Sequence, residues 1–256
     1  MPDPPVLNAA RSGRLLAWAL LGIAAVPVHA GAFGEQFTLG GNLSLTSDYI
    51  YHGVSESSDD PALQGDVHLD TSGGTFAGLW ASTRDSSLDP GGSFEFELYL
   101  GHRFDLSSAW NVTVSARSHY FAGGVFEASA DYQEVLATLA YEDRWALTLT
   151  AIPNAVRYWF YQRLTRSPAY VADTSGQWLI VPGVFLTAGA GYYYSSGTGP
   201  GILRSVGYAY GNAGLAWEWR NWRVDVGYFL TQPDAEKLFP YPSADRRAAA
   251  TLTWRF

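Results

Sequence analysis

The chain has no cysteine, one methionine and one lysine, Lys237. Without cysteine there is no disulfide framework, so stability must come from size or from closure of the fold. Basic residues are in deficit. The formal net charge of the 256 residues is −8, which argues against nucleic acid as a partner. Long apolar runs are missing too. The longest, Leu15 to Val26, has twelve residues, short of the roughly 20 that a membrane-spanning helix needs. A chain of this composition that enters a membrane can satisfy its backbone only as a closed barrel.

The short apolar run has its own meaning. Arg11 and Arg14 precede it, and Val28, His29, Ala30, Gly31 and Ala32 follow. A positive start, a short apolar stretch and small residues describe an export leader, so residues 1–30 read as a signal peptide cleaved after Ala30. The remainder, 31–256, loses Arg11, Arg14 and Asp3, which leaves fourteen basic and twenty-three acidic residues and a charge of −9.

Period-two patterning runs to the last residue. Phe256, Trp254, Leu252, Ala250 and Ala248 alternate with Arg255, Thr253, Thr251, Ala249 and Arg247. A strand with lipid on one face and a wet lumen on the other reads this way. Similar runs cover 37–51, 62–71, 75–84, 93–104, 110–120, 132–141, 145–151, 169–180, 185–194, 208–219, 222–230 and 246–256. Pro153 ends the seventh early. Twelve antiparallel strands, the last closing on 37–51, give an all-β, up-and-down transmembrane barrel over residues 31–256.

The connections alternate in length. Short ones fall at 72–74, 105–109, 142–144, 181–184 and 220–221. Long ones fall at 52–61, 85–92, 121–131, 152–168, 195–207 and 231–245. Short periplasmic turns and long external loops place both termini on the periplasmic side of an outer membrane in a Gram-negative cell. Aromatics sort the same way. Trp110, Trp145, Trp178, Trp217, Trp219, Trp222 and Trp254 lie beside the short turns. Tyr49, Tyr51, Tyr120, Tyr132, Tyr192, Tyr193, Tyr194, Tyr208, Tyr210 and Tyr228 lie beside the long loops, as two membrane interfaces would select.

Residues 45–69 (Leu45-Thr-Ser-Asp48-Tyr-Ile-Tyr-His52-Gly-Val through Pro61-Ala-Leu to Leu69), 78–85 (Gly-Leu-Trp80-Ala-Ser-Thr-Arg-Asp) and 95–101 (Glu95-Phe-Glu-Leu-Tyr99-Leu-Gly) resemble the TorF porin family. The likeness covers roughly residues 43–103. His52 stands where that family has Arg, and Leu100 where it has Gly. The resemblance implies a barrel porin. The terminal Leu252, Trp254 and Phe256 resemble the signal by which the barrel-assembly machinery recognises its clients.

A charge on the lipid face costs roughly 2–4 kcal/mol at the midplane, so strand parity turns charges inward. Asp66, His68, Asp70, Glu95, Glu97, Tyr99, Arg117, Glu134, Asp173, Glu218, Arg223, Asp225 and Arg247 are the expected pore lining. Asp70, Glu218, Arg223 and Arg247 fall nearer the periplasmic mouth. Counting from the turns sets Glu97 opposite Arg117, Glu95 opposite His119, and Glu218 opposite Arg223. Inward acids outnumber inward bases, which favours cations or neutral solutes.

Other chemistry is thinly represented. His68 lies between Asp66 and Asp70, and a His beside a carboxylate can act as a base. No nucleophile is spaced with it, and lumen hydrogen bonding is the simpler role. Glu56, Asp59 and Asp60 lack the spacing of a metal loop. The Gly-rich stretch 197–201 precedes no helix, so it is no phosphate cradle. Arg157, Arg163 and Arg166, interleaved with the aromatics at 158–161, could fold into the pore or meet lipopolysaccharide phosphates. No cofactor or metal is called for. The sequence thus reads as a passive channel for small hydrophilic solutes, mildly cation-selective or neutral. The rival is a non-conducting structural or assembly barrel, or one carrying a hydrolase site.

Overall fold

The computed structural model describes residues 37–85, 92–122, 130–142, 144–157, 165–197, 204–239 and 245–256. The leader at 1–30, the 158–164 part of the longest connection and most of the 197–201 stretch lie outside these residues. The wall is built by β1 (Phe37–Thr46), β4 (Ala62–Thr71), β5 (Thr75–Thr83), β6 (Phe94–Asp105), β7 (Trp110–Ala122), β8 (Tyr132–Tyr141), β9 (Trp145–Arg157), β10 (Thr165–Val181), β11 (Val184–Ser195), β12 (Val206–Trp219), β13 (Trp222–Thr231) and β14 (Arg247–Arg255). Each pairs antiparallel with its neighbours, and β14 returns to β1, so twelve strands close a barrel. A small hairpin of β2 (Ile50–Tyr51) and β3 (Val54–Ser55) lies apart from that wall.

Burial is inverted relative to a water-soluble core. Leu43, Leu45, Leu63, Leu69, Leu98, Leu100, Leu149, Leu215 and Leu252 are exposed, while Asn42, Ser44, Gln64, Asp66, His68, Glu95, Glu97, Thr113 and Glu134 are buried. A period of two forces this: once Leu98 points out, Glu97 and Tyr99 must point in. Such a surface is poorly matched to water and well matched to hydrocarbon. On β5, Leu79 is outside and Trp80 is 2 % exposed, as turn counting requires.

At the end carrying the short turns, Trp110, Trp178, Trp217, Trp219, Trp222 and Trp254 are exposed and Trp145 half-buried. At the other end Tyr120, Tyr170, Tyr192, Tyr194 and Tyr228 form the outer ring. Tyr49, Tyr51, Tyr193 and Tyr208 do not join it. They are buried inside the barrel.

Three expectations from pattern need correction. The strand read as 37–51 stops at Thr46, because Asp48 turns the chain inward. The strand read as 145–151 continues to Arg157. Pro153 and Asn154 both stand opposite Pro168, where the β9–β10 register shifts. This is a bulge, the position where a sheet tolerates residues without an N–H. Third, Glu97 pairs with His119, and Arg117 with Tyr99. The hairpin closes on three residues, since the amides of Leu106 and Ser107 both donate to the Trp110 carbonyl, at 2.9 and 3.1 Å. Glu218 does face Arg223.

The seam is short, running from Asn42 opposite Arg255 to Thr46 opposite Thr251. Beyond it, Gly41 and Phe256 exchange backbone hydrogen bonds of 3.2 and 3.1 Å. A Cβ at Gly41 would lie 2.6 Å from the Phe256 ring, so only glycine leaves the notch in which this ring sits.

Candidate functional site: a hairpin across the lumen and the chamber beneath it

The chain enters the lumen at Asp48. Its carboxylate accepts hydrogen bonds from Ser55 Oγ (2.5 Å), Ser57 Oγ (3.1 Å) and Arg247 Nη1 (3.0 Å). These hold 48–57 as a compact fold. The β2–β3 turn is His52-Gly53, with φ of 47° and 79°. Two successive positive φ values are what a tight two-residue hairpin requires, and Gly53 adopts its value freely.

The hairpin tip reaches the far wall. Tyr208 Oη on β12 donates to the His52 carbonyl at 3.0 Å, and Thr231 Oγ1 on β13 donates to the Gly53 carbonyl at 2.5 Å. Val54 packs in one apolar cluster with Ile152, Ala169, Val171, Tyr193 and Tyr208. Leu238, just after the 3-10 turn Pro233–Lys237, joins it. On the near side, Tyr49 Oη donates to Glu95 Oε2 at 3.2 Å, and its ring meets buried Trp80 at 5.5 Å. Tyr51 Oη lies 2.9 and 2.8 Å from the two oxygens of Glu134. Burial, reinforced by Glu134, holds the Tyr51 phenol well above its ordinary pKa, so it stays protonated and donates.

Between this hairpin and the short-turn end lies a cavity of about 670 Å³. Its roof includes Asp48, Tyr51, His52 and Gly53, and its lower wall includes Glu218, Arg223 and Arg255. Of the expected lining residues, Arg117, Asp173, Glu218, Arg223 and Asp225 face it. Asp66, His68, Glu95, Glu97, Glu134 and Arg247 point inward but are buried. Tyr99 and Asp70 are only partly covered. None of these eight lines the chamber. Parity found the inner face, but it could not show that the hairpin segment would dock on Glu95, Glu134 and Arg247.

The charges are paired. Arg223 spans Glu218 (2.7 Å) and Asp225 (2.7 Å), and Arg255 reaches Glu218 at 3.3 Å. Tyr99 Oη donates to Asp66 at 2.6 Å, and Tyr210 Oη donates to Asp173. His68 faces Asp66 at 2.7 Å through Nδ1 and Asp70 at 3.3 Å through Nε2. A carboxylate at each ring nitrogen suits a structural clamp better than a base awaiting a substrate proton. Two acids of the first loop are paired too: Glu56 with Arg84, and Asp59 with Arg247 at 2.9 Å. Arg247 therefore belongs with the hairpin, at the end opposite the predicted periplasmic mouth. It is the first residue of β14, and that strand begins on the long-loop side.

Sequence reasoning missed Asp48, His52, Gln64, Arg144, Tyr210, Asn212 and Arg255, all on the chamber wall. A signal for the hairpin was present. Two β-forming residues on either side of His52-Gly53 fit a two-residue turn, but they sat inside a longer alternating run.

Among solved structures, a NanC porin has a TM-score of 0.52 at 10% identity, covering 85% of this chain and 97% of that one. A KdgM porin gives 0.52 at 10% identity, covering 85% and 99%. At this identity the likeness is one of fold: a porin-like barrel. No curated protein matches the chain. The sequence profile of a family described as a bacterial protein of unknown function, Gcw_chp, matches residues 30–236, and the chain belongs to that family.

Proposed function

We propose that the protein is an outer-membrane channel for passive diffusion of small hydrophilic solutes, with passage controlled where the hairpin crosses the lumen. The observation that carries this reading is a chamber of about 670 Å³, lined in part by acids and arginines, inside a barrel whose outer face is apolar. The resemblance of residues 43–103 to the TorF porins supports it, as does the shared fold with the NanC and KdgM porins. In this reading residues 1–30 are the export leader, and both termini and the tryptophan ring face the periplasm. Leu252, Trp254 and Phe256 engage the assembly machinery, and the tyrosine ring lies toward lipopolysaccharide.

Four acids (Asp48, Asp173, Glu218, Asp225) and four arginines (Arg117, Arg144, Arg223, Arg255) line the chamber. This balance supports a neutral or mildly cation-selective pore rather than a strongly selective one. Conductance and reversal potential of the purified barrel in planar bilayers test the proposal. A stable ohmic step with a reversal potential near zero or slightly cationic is expected. The crossing hairpin favours one rival, a structural barrel that does not conduct, and silent bilayers containing correctly folded protein would establish that rival instead.

A further inference from the structure

Behind the hairpin, away from the chamber, three buried side chains converge. Glu95 and Glu97 are two apart on β6 and project from one face. His119 on β7 stands opposite Glu97. His119 Nδ1 lies 2.9 Å from Glu95 Oε1 and 3.5 Å from Glu97 Oε1. Glu95, Glu97 and His119 are 2 %, 1 % and 0 % exposed. Glu97 Oε1 makes no hydrogen bond among the described residues, although it is buried and aimed at the imidazole. A buried carboxylate oxygen without a donor is costly, and it marks a place where something should bind.

We propose that Glu95, Glu97 and His119 form a binding site for one divalent transition cation of the zinc class. Three arguments converge. The first is spacing: the ligand atoms of the three residues lie within 4.8 Å of one another. Bonds of about 2.1 Å place tetrahedral ligands about 3.4 Å apart, close to the two distances from Nδ1, so modest side-chain rotation completes the site. Second, the other imidazole nitrogen is already oriented. His119 Nε2 faces Glu134 Oε2 at 3.5 Å, and the ring stacks on Tyr132 with centroids 4.2 Å apart. A ligating histidine whose far nitrogen points to a carboxylate is the usual outer arrangement of such sites.

Third, three buried carboxylates, those of Glu95, Glu97 and Glu134, surround the one imidazole, an environment that favours a cation. The competing arrangement has no ion and a protonated His119 held among these carboxylates. On metal binding, a proton on Nδ1 would leave to solvent as the nitrogen lone pair bonds the ion. Two carboxylates and one imidazole leave a fourth position on the ion open. This site is independent of conduction, because none of its three ligands lines the chamber.

The test uses the untagged full-length chain, folded in detergent with Zn²⁺ present and then dialysed against buffer without metal. We expect one tightly held Zn²⁺ per barrel by elemental analysis. With Co²⁺ in its place, the visible absorption of a four-coordinate ion should appear. His119→Gln and Glu97→Gln should abolish both signals while the unheated band still migrates as a folded barrel. Glu134→Gln should keep the site but weaken it roughly 10- to 100-fold. A folded wild-type barrel that retains no Zn²⁺ and gives no Co²⁺ band would overturn the proposal in favour of the metal-free cluster with a protonated His119. Retention unchanged by His119→Gln would overturn it as well. Neither result bears on conductance, so this proposal can fail while the channel reading stands.

Discussion

Tyr51→Phe tests the hairpin as the controlling element with the loss of one oxygen. The ring keeps its place against His52, with centroids 4.0 Å apart, and near His119 at 6.0 Å. Only the hydroxyl donation to Glu134 disappears. A hydrogen bond to a charged group contributes about 1.5–3 kcal/mol. That cost falls on the docked hairpin, because Glu134 recovers water when the hairpin swings away. With about 1.4 kcal/mol per factor of ten, the displaced population should rise roughly 10- to 150-fold. His119 and His52, at 3.5 and 3.9 Å from Glu134, can absorb part of the loss, so the lower end is expected. Single-channel recording reads this directly as a larger fraction of time in the higher-conductance level. Adding Glu134→Gln to the variant should add only the smaller effect of the remaining His52–Glu134 contact. Unchanged dwell times in a correctly folded Tyr51→Phe barrel would refute the assignment of Tyr51–Glu134 as the latch.

Other outcomes follow from the same geometry. Gly53→Val places a β-branched residue at φ 79° and a Cβ against Tyr210; a strain of roughly 1–3 kcal/mol should raise the noise of the open pore without lowering barrel yield. Arg223→Gln leaves Glu218 and Asp225 without their shared partner, and the reversal potential in a salt gradient should move toward cations. Neutralising Asp66 and Glu95 together should move it little, because both are buried off the chamber wall; a large shift would place the conduction path elsewhere. Removing Phe256 should lower the amount of protein assembled in the outer membrane while leaving the conductance of refolded barrels intact, as quantitative membrane fractionation and bilayer recording can decide.

The barrel was legible because its signal is periodic and long. Leu98 against Glu97, or Leu252 against Thr253, can be read from order alone, and Arg220-Asn221 fixed the β12–β13 register. Asp105 obscures the register of the β6–β7 hairpin. It resembles a turn residue, yet its backbone stays in the ladder opposite Asn111 while its side chain pairs with Arg103 at 2.7 Å. The bulge at Pro153 was hidden for a related reason: its partner, Pro168, lies in another strand, and register is a property of pairs. The site was less legible than the wall. Alternation says that Glu95, Glu134 and Arg247 face inward. It cannot say that a segment from the first connection will cover them, since that depends on contacts such as Asp48 with Arg247, separated by most of the chain.

That last contact has a consequence for the order of events during biogenesis. Arg247 opens the final strand, and its guanidinium ties down both Asp48 and Asp59. Until β14 is in place the hairpin lacks this anchor, even though its own residues emerge near the start of translation. The first connection therefore gains its last anchors only when the ring shuts, so the obstruction and the closed wall are completed together. A barrel stalled before closure would hold a loose hairpin as well as an open seam, two defects for quality-control proteases to find at once.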